Sequence, residues 1–494
     1  MDFLKFKNCE SVALADIKIL EFDDFKTQMK SLIAEQNCRV SAFFAHDDKL
    51  FAVVLDPAER CFKVAATAVG KTYPALTNDI PSLHWFEREI FEQSNTVPEN
   101  HPWLKPIRFE NSEKPGVTDY FTMQGNAVHE VAVGPVHAGV IEPGHFRFQC
   151  MGEDVYSLEI ELGYQHRGVE KMLVESPAKL RNHLIETTAG DSSTAYALAY
   201  DGVIASLAET PRAPLTERAQ ILRTLALELE RIANHVGDIG ALAGDVAFLT
   251  TSAYCGRIRG DFLNMTALLC GNRFGRNYIT YDGVEFDLAN NKLAALRDWF
   301  ERTVEDFKNA WDLMADDPGS LDRFEGTGHV PQSVMRDIGA VGVAARASGV
   351  DMDVRRDLSN IGVYDKLVWK SALKHSGDVI ARAKTRRWEI RESIRMVRAL
   401  LTWLESSNSS ASNNSEAPEK FKAGHLAVSA VEAWRGEVVC AAITGNDGRI
   451  ERFKLVDPSF HNWFALALAL RGEQISNFPI CNKSFNLSYC GHDL

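Results

Sequence analysis

No Cys-x-x-Cys pair occurs in this chain of 494 residues, although nine cysteines are spread over its length. Zinc and iron–sulfur sites usually take their thiolates from such close pairs, so we expect this chain itself to bind no metal and no cluster. An odd number of scattered thiols is typical of reduced cysteines in the cytosol. Most of them are predicted to be core residues.

Three other features are missing. The chain has no apolar run of about 18 residues and no signal-like start, which argues against a membrane span and a secretory leader. It has no GxGxxG motif, so any nucleotide chemistry is expected on another subunit. The formal net charge of -13 argues against a nucleic-acid partner, because phosphate binding needs clustered Lys and Arg. Docking to a membrane-bound partner remains compatible with these absences.

The patterns that are present predict an α+β protein in two parts. Residues 1–115 mix alternating apolar strands with helical stretches, as in a small α+β domain. Residues 125–494 begin strand-like and become mainly helical, which predicts a large helix-bundle domain with a peripheral antiparallel β region. The clearest helix starts after Thr216, in a capping-box-like sequence, and further helical patterns occur near 288–315, 331–348 and 378–405. The polar stretch 406–420, SSNSSASNNSEAPEK, is predicted to be a disordered insertion.

Six segments, in this order along the chain, resemble one known family. They are GPVHAGVIEPGHFRF, GYQHRGVEK, LERIANHVGDIG, GNRFGRNYITYDGV, SGVDMDVRRD and VEAWRGE. Together they are similar to the large subunit of group 4 nickel–iron hydrogenases, including formate hydrogenlyase and hydrogenase-4, and to the homologous 49-kDa-type subunit of complex I, the respiratory NADH-quinone oxidoreductase. The earlier segments HWFEREIFE and HPWLKPIRF resemble the 30-kDa-type subunit of complex I, so the resemblance covers nearly the whole chain.

The resemblance implies a nickel–iron site whose ligands are missing here. Hydrogenases of this family hold the metals with four thiolates from two Cys-x-x-Cys pairs. The first pair falls on Ala189 and Ser192, and the second on Ser488 and Gly491. A methyl group, two alcohols and a glycine cannot replace thiolates on nickel. Shifting the second pair by one position would recruit only Cys490.

In complex I the corresponding cleft receives a quinone, which is reduced by electrons from an iron–sulfur cluster in a small subunit. Such a site needs an apolar slot with proton-donating partners. His145 lies close to the position of the complex I histidine. The complex I tyrosine is missing, because its position falls near Glu186. Tyr196 could substitute for it only if the helix turns its side chain inward. Glu142, Glu186 and Asp191 resemble remnants of the hydrogenase surroundings, with helix capping by Asp191 and Ser192 as the alternative.

Two charged segments resemble contact regions between subunits. For GYQHRGVEK, the position in the family favours the small-subunit interface over an ordinary charged turn. Arg355, Arg356 and Asp357, in SGVDMDVRRD, are interpreted as a buried or interface ion network, with a solvated charge run as the alternative. The interface candidates in these segments are His166, Arg167, Glu170, Lys171, Arg355 and Arg356.

The resemblance leaves several functions open. The first is a subunit of a membrane-associated, complex I-like oxidoreductase (NADH-quinone oxidoreductase-like) that lacks the nickel–iron centre and passes electrons from an iron–sulfur small subunit to a quinone or similar acceptor. The second is a non-catalytic coupling scaffold of such a complex, and the third is a hydrogenase with a remodelled site. The implied partners are the small subunit and membrane-embedded proton- or ion-translocating subunits. The expected location is peripheral, on the cytoplasmic side of the inner membrane.

Overall fold

The computed structural model describes residues 2–94, 96–110, 112, 114–137, 141–358, 360, 362–407, 409–418 and 420–494. Helices and several small, mainly antiparallel sheets are both present, so the predicted α+β class is confirmed. Within the described ranges, no helix combines the length and the apolarity that a bilayer crossing requires.

The N-terminal part is built on a five-stranded sheet with two helices. Its elements are β1 (Leu4–Phe6), β2 (Glu10–Ala13), β3 (Ile19–Leu20), α1 (Phe22–Ala34), β4 (Arg39–His46), β5 (Lys49–Asp56), β6 (Cys61–Ala68), β7 (Thr72–Pro74), α2 (His84–Ser94) and β8 (Val97–Glu99). The sheet order is β1-β6-β5-β4, with β3 pairing parallel to β6. Strands β4, β5 and β6 are buried along most of their length, which explains their apolar composition.

The remaining part contains long packed helices together with a three-stranded, a two-stranded and a four-stranded sheet. Its first elements are β9 (Val128–Val133), β10 (His145–Met151), β11 (Asp154–Glu161), α3 (Val169–Glu175), α4 (Ala178–Glu186), α5 (Ser193–Leu207), α6 (Glu217–Asp245), α7 (Leu249–Cys270), β12 (Ile279–Thr280), β13 (Gly283–Val284) and α8 (Asn290–Ala315). The later elements are α9 (Pro318–Phe324), α10 (Gln332–Asp337), α11 (Gly342–Ala347), α12 (Val354–Asp357), α13 (Val379–Ser406), β14 (His425–Glu432), β15 (Glu437–Thr444), β16 (Ile450–Val456), α14 (Pro458–Ala469), α15 (Phe478–Phe485) and α16 (Tyr489–Asp493).

Helix α6 forms the centre of the helical core. Thr216 caps its first turn, since the Thr216 hydroxyl accepts a hydrogen bond from the Ala219 N–H at 3.0 Å, as the capping-box pattern predicts. The helix packs against α7, α13 and α15, and most of its residues are buried. Burial on nearly all faces explains why its sequence is apolar beyond a single stripe. The single helical pattern expected over 331–348 is instead divided into α10 and α11.

The two parts of the chain share one sheet. Strand β2, from the N-terminal part, pairs antiparallel with β14 and completes the order β16-β15-β14-β2. The buried guanidinium of Arg39 in β4 also forms an ion pair with the Glu437 carboxylate in β15. Residues 1–115 therefore fold against the large part through main-chain pairing and buried charge.

The polar stretch 406–420 differs from the predicted disordered insertion over its described residues, which exclude 408 and 419. Ala411 is buried, and its carbonyl accepts a hydrogen bond from the Val284 N–H at 3.3 Å. The Asn413 N–H donates to the Asp282 carbonyl at 2.9 Å. Main-chain hydrogen bonds of this kind do not depend on side-chain hydrophobicity, which is why the composition of the stretch did not reveal them.

Candidate functional site

The turn between α4 and α5 carries the first pair of family ligand positions. Ala189 is fully buried and Ser192 is almost so. Ser192 lies at the N-cap of α5, but its side chain makes no capping hydrogen bond. The turn therefore presents one methyl group and one hydroxyl where the family motif has two thiolates.

The second pair of positions lies at α16, the last helix. Ser488 is the N-cap of this helix, and its hydroxyl accepts a hydrogen bond from the Gly491 N–H at 2.9 Å. A β-carbon added at Gly491 would clash with Asp457 Oδ2. The Asp457 carboxylate thus occupies the direction in which a side chain at position 491 would extend, and only glycine fits beside it.

Asp457 also connects this helix to α5. The Tyr196 hydroxyl donates a hydrogen bond to Asp457 Oδ2 at 2.7 Å, and Asp457 Oδ1 accepts from the Ser459 N–H at 2.7 Å to cap α14. Tyr196 is fully buried. Burial raises the pKa of Tyr196 well above its ordinary value, and the Asp457 carboxylate adds to that shift. Tyr196 therefore keeps its proton and acts as a donor within a packed interior.

Asp191 forms a salt bridge instead of capping α5. Arg435 Nη1 and Nη2 contact the two Asp191 carboxylate oxygens at 2.7 and 2.8 Å. Burial opposes ionisation of Asp191, but the Arg435 guanidinium outweighs it and lowers the pKa of this carboxyl. Arg435 Nε donates to the Asn486 carbonyl at 2.6 Å. One guanidinium thus joins the α4–α5 turn to the segment that precedes α16.

Glu230 of α6 binds the free N–H groups at the start of α5. Its Oε2 accepts from the Thr194 N–H at 2.7 Å and its Oε1 from the Ala195 N–H at 3.3 Å. Burial raises the pKa of Glu230 to about 8, against the opposing effect of these two bonds. The cap of α5 comes from a residue of another helix, so the prediction that Asp191 and Ser192 cap it is wrong.

Glu186 lies on the other side of the turn, against the segment GNRFGRN. Both of its carboxylate oxygens accept from the Asn277 N–H, at 2.9 and 3.0 Å. Burial raises the pKa of Glu186 to about 7, and the Asn277 N–H and Arg276 oppose this shift. Glu186 is a carboxyl that titrates near neutral pH, bound to the backbone rather than to Tyr196.

Glu142 lies beside Cys490 in α16. Burial raises the pKa of the Cys490 thiol to about 12, and the charge of Glu142 adds to the shift. The Cys490 sulfur lies 3.4 Å from the Ser488 hydroxyl oxygen. Metal binding requires the thiolate, so a thiol held in its protonated form is a poor ligand.

His145 begins β10 and has different hydrogen-bond partners from Tyr196. Its Nδ1 lies 3.0 Å from the Gly134 carbonyl oxygen, and its ring lies 5.3 Å from that of Tyr120. Its Nε2 is buried without a hydrogen-bond partner among the described residues. The neighbouring Gly144 is covered by the Tyr489 ring, whose Cε1 would be 2.6 Å from an added β-carbon. In the described part of the chain, no hydrogen bond joins His145 to Tyr196.

Glu170 and Arg355, two of the predicted interface residues, are buried within the chain. Glu170 Oε1 accepts a bond of 2.8 Å from Lys454 Nζ, which also contacts Glu89 of α2 at 2.8 Å. Arg355 contacts Asp353 at 2.7 Å and belongs to the ion network in the helical core. The interface interpretation is therefore wrong for Glu170, whereas for Arg355 the buried alternative of the predicted ion network is confirmed.

The other candidates lie nearer the surface. His166 Nδ1 contacts the Asp493 carbonyl at 2.7 Å, and Arg167 donates to the carbonyls of Thr187 and Thr188. These bonds attach their segment to the same two turns that carry the ligand positions. Lys171 and Arg356 have exposed side chains, 79% and 42% accessible, and remain the candidates best able to meet a partner.

Sequence reasoning missed Asp457 and Arg435 as members of this site. Arg435 is within the family-like segment VEAWRGE, but its partner Asp191 could not be read from sequence. Asp457 precedes Pro458 and Ser459, a typical helix N-terminus, and this signal indicates only a cap. Its second bond, to Tyr196, depends on tertiary contact across 261 positions.

The residues at this site do not fit a nickel–iron centre. The four ligand positions supply no sulfur, and the Asp457 carboxylate fills the space beside one of them. Nowhere in the described chain do three or more His, Cys, Asp or Glu side chains gather in a way that could hold a metal ion. The arrangement can hold protons and hydrogen bonds, at Tyr196, Glu186 and Glu230.

Comparison with known proteins identifies the family. Residues 245–493 match the family described as the 49 Kd subunit of respiratory-chain NADH dehydrogenase. The chain is 25% identical to formate hydrogenlyase subunit 5 of Escherichia coli, over 93% of this chain and 85% of that protein. It is 30% identical to the carbon monoxide-induced hydrogenase of Rhodospirillum rubrum, over 73% of this chain and 98% of that protein. It is 29% identical to NADH-quinone oxidoreductase subunit 4 of Thermus thermophilus, over 69% of this chain and 88% of that protein. The chain therefore belongs to the family of the complex I 49-kDa subunit and the group 4 hydrogenase large subunits.

Proposed function

We propose that this chain is a subunit of a membrane-associated oxidoreductase complex, in which it holds no nickel–iron centre and acts as a structural and coupling subunit. The observation that carries the proposal is the Asp457 carboxylate, which lies against the β-carbon position of Gly491 and binds Tyr196. In this proposal the side chains of the chain itself fill the place of the metals. Its relatives supply the class of complex, since they include a hydrogenase and a quinone oxidoreductase subunit.

The proposed partners are an iron–sulfur small subunit and membrane-embedded ion-translocating subunits, with the chain bound peripherally on the cytoplasmic side of the inner membrane. Contact with a partner would begin from Lys171 and Arg356, two interface candidates with exposed side chains.

A second candidate function is the reduction of a quinone or similar acceptor. His145 supports it, because its Nε2 is buried without a hydrogen-bond partner among the described residues and would gain one from a carbonyl oxygen. The different hydrogen-bond partners of His145 and Tyr196 and the Tyr489 ring over Gly144 argue for the structural function instead.

Purification of the tagged chain from membranes under mild detergent tests the proposal. We expect an iron–sulfur subunit and membrane subunits to copurify, with iron present, nickel far below stoichiometry and no bound quinone. The carbon monoxide-induced hydrogenase, purified in the same way, serves as the positive control for nickel analysis. Stoichiometric nickel or hydrogen uptake would overturn the proposal, bound quinone would favour the second candidate, and a chain that copurifies with no partner would contradict both.

A further inference from the structure

A cavity lies at the junction of the two parts of the chain. It has a volume of about 390 Å³ and is bounded by α2, the segment after β8, β11 and α14. Its walls are mainly aromatic. The rings that line it are Trp85, Trp103, Trp463, Phe464, His84 and His101.

The aromatic walls favour a flat ring as the ligand. The His84 ring packs 4.6 Å from that of Phe464 and 4.9 Å from that of Trp85, so these three rings form a continuous wall. Aromatic rings stack on such walls in offset or edge-to-face geometry. A cavity of this size is within the range of small-molecule sites in proteins.

The charges around the cavity balance, which favours an uncharged ligand. Glu159 and Glu161 both contact the Lys105 ammonium group, and their charges also act on Arg88. Arg88 donates to the carbonyls of Lys105 and Pro106, each at 2.8 Å. Two carboxylates and two cations leave no net charge for an ionic ligand to neutralise.

One ring on the wall, His84, has polar atoms without a hydrogen-bond partner among the described residues. Trp85 Nε1 also lacks an acceptor among them, but this atom is fully buried and not accessible from the cavity. The His84 ring makes ring contacts and no side-chain hydrogen bond, whereas His101 is satisfied, since its Nδ1 accepts from the Trp103 N–H at 3.1 Å. Burial holds the pKa of His84 well below its ordinary value, so this ring is neutral and offers one donor and one acceptor.

We propose that this cavity binds an uncharged aromatic molecule that carries a phenolic hydroxyl. The ring stacks on the wall of His84, Trp85 and Phe464, and the hydroxyl forms a hydrogen bond with the His84 ring. This site does not include the ligand positions, although Trp463 Nε1 on its wall donates to the Ser488 carbonyl at 3.3 Å, and the proposal does not rest on the proposed function. It joins residues from both parts of the chain, so the ligand also bridges them.

The test uses 2-naphthol as the probe and the full chain as the protein. Three of the nine tryptophans line the cavity, so binding is followed by tryptophan fluorescence. We expect saturable quenching. Ala467→Phe places a ring in the cavity and raises the Kd at least tenfold. The control is Ala205→Phe, which makes the same change in α5 beside a different cavity and leaves the Kd unchanged.

A second variant tests the hydrogen bond. His84→Phe keeps the stacked ring and removes its polar atoms. We expect it to raise the Kd for 2-naphthol by about 2- to 10-fold, which corresponds to the loss of one hydrogen bond. It leaves the affinity for naphthalene unchanged. Quenching that does not saturate, or a Kd that Ala467→Phe leaves unaltered in a chain with a native melting profile, would overturn the proposal. An equal loss for both probes in His84→Phe would refute the assigned hydroxyl contact.

Discussion

The Tyr196 hydroxyl donates a hydrogen bond of 2.7 Å to the Asp457 carboxylate, and this bond crosses the region where the family motifs predict metal ligands. Tyr196 comes from the helix after the first pair of positions, and Asp457 touches the space beside the second. The two segments that define the family site are therefore held together by a side-chain contact. The interior at this point is packed and polar.

Removing this hydroxyl should destabilise the fold. In Tyr196→Phe the buried Asp457 oxygen loses its donor, so we expect the free energy of unfolding to fall by about 1–3 kcal/mol. Urea denaturation measures the change. Tyr254→Phe, at a tyrosine that is 53% exposed, is the control and should change stability by less than about 0.5 kcal/mol. Equal stability of the two variants would mean that the bond contributes nothing.

Two glycine substitutions should have opposite effects. Gly491→Ala forces a β-carbon against Asp457 and should lower the melting temperature, because the clash cannot be relieved without movement. Gly256→Ala, in α7 with nothing within 4 Å of the added carbon, should raise stability by about 0.5–1 kcal/mol. Thermal melts of both variants measure the difference. A neutral Gly491→Ala would show that Asp457 moves aside freely.

The buried ion cluster between the two parts of the chain should contribute strongly to stability. Lys454→Met leaves the Glu89 and Glu170 carboxylates buried without their shared cation, so we expect a loss of about 3–5 kcal/mol. The matched control is Lys171→Met, because the Lys171 side chain is 79% exposed. This substitution should lower the free energy of unfolding by less than about 1 kcal/mol. Chemical denaturation measures both variants, and limited proteolysis reports whether the N-terminal part detaches. Similar losses of stability in the two variants would contradict the role of Lys454 as the shared cation of a stabilising buried ion cluster.

Acid should destabilise the protein through His461. Burial lowers the pKa of this histidine to about 3, and the charges of Arg39 and Lys454 add to the shift. Below pH about 6.5, His461 takes up a proton in the unfolded chain but not in the folded chain. The free energy of unfolding therefore decreases as the pH falls from about 6.5 towards about 3. His461→Gln should reduce the slope between pH 7 and 5.5 by up to about 1.4 kcal/mol per pH unit. His129→Gln, at an exposed site, is the comparison; equal slopes would refute the prediction.

Local sequence signals predicted individual elements better than their contacts. The start of α6 followed from Thr216, and α8 and α13 followed from their apolar spacing, because these features depend on neighbours along the chain. The pairing of β2 with β14 and the capping of α5 by Glu230 were not predicted, since each joins residues distant in sequence. At the site, the motif positions were located by resemblance, whereas the partners Asp457 and Arg435 required the folded structure.

Arg435 has a consequence for how this chain matures. In the hydrogenases that the motifs resemble, a metal joins the α4–α5 turn to the last turn, and metal binding of that kind contributes free energy to folding. Here the Arg435 guanidinium joins Asp191 to the Asn486 carbonyl, using groups encoded in the chain. Because both groups are encoded in the chain, this cross-link forms as soon as the polypeptide folds.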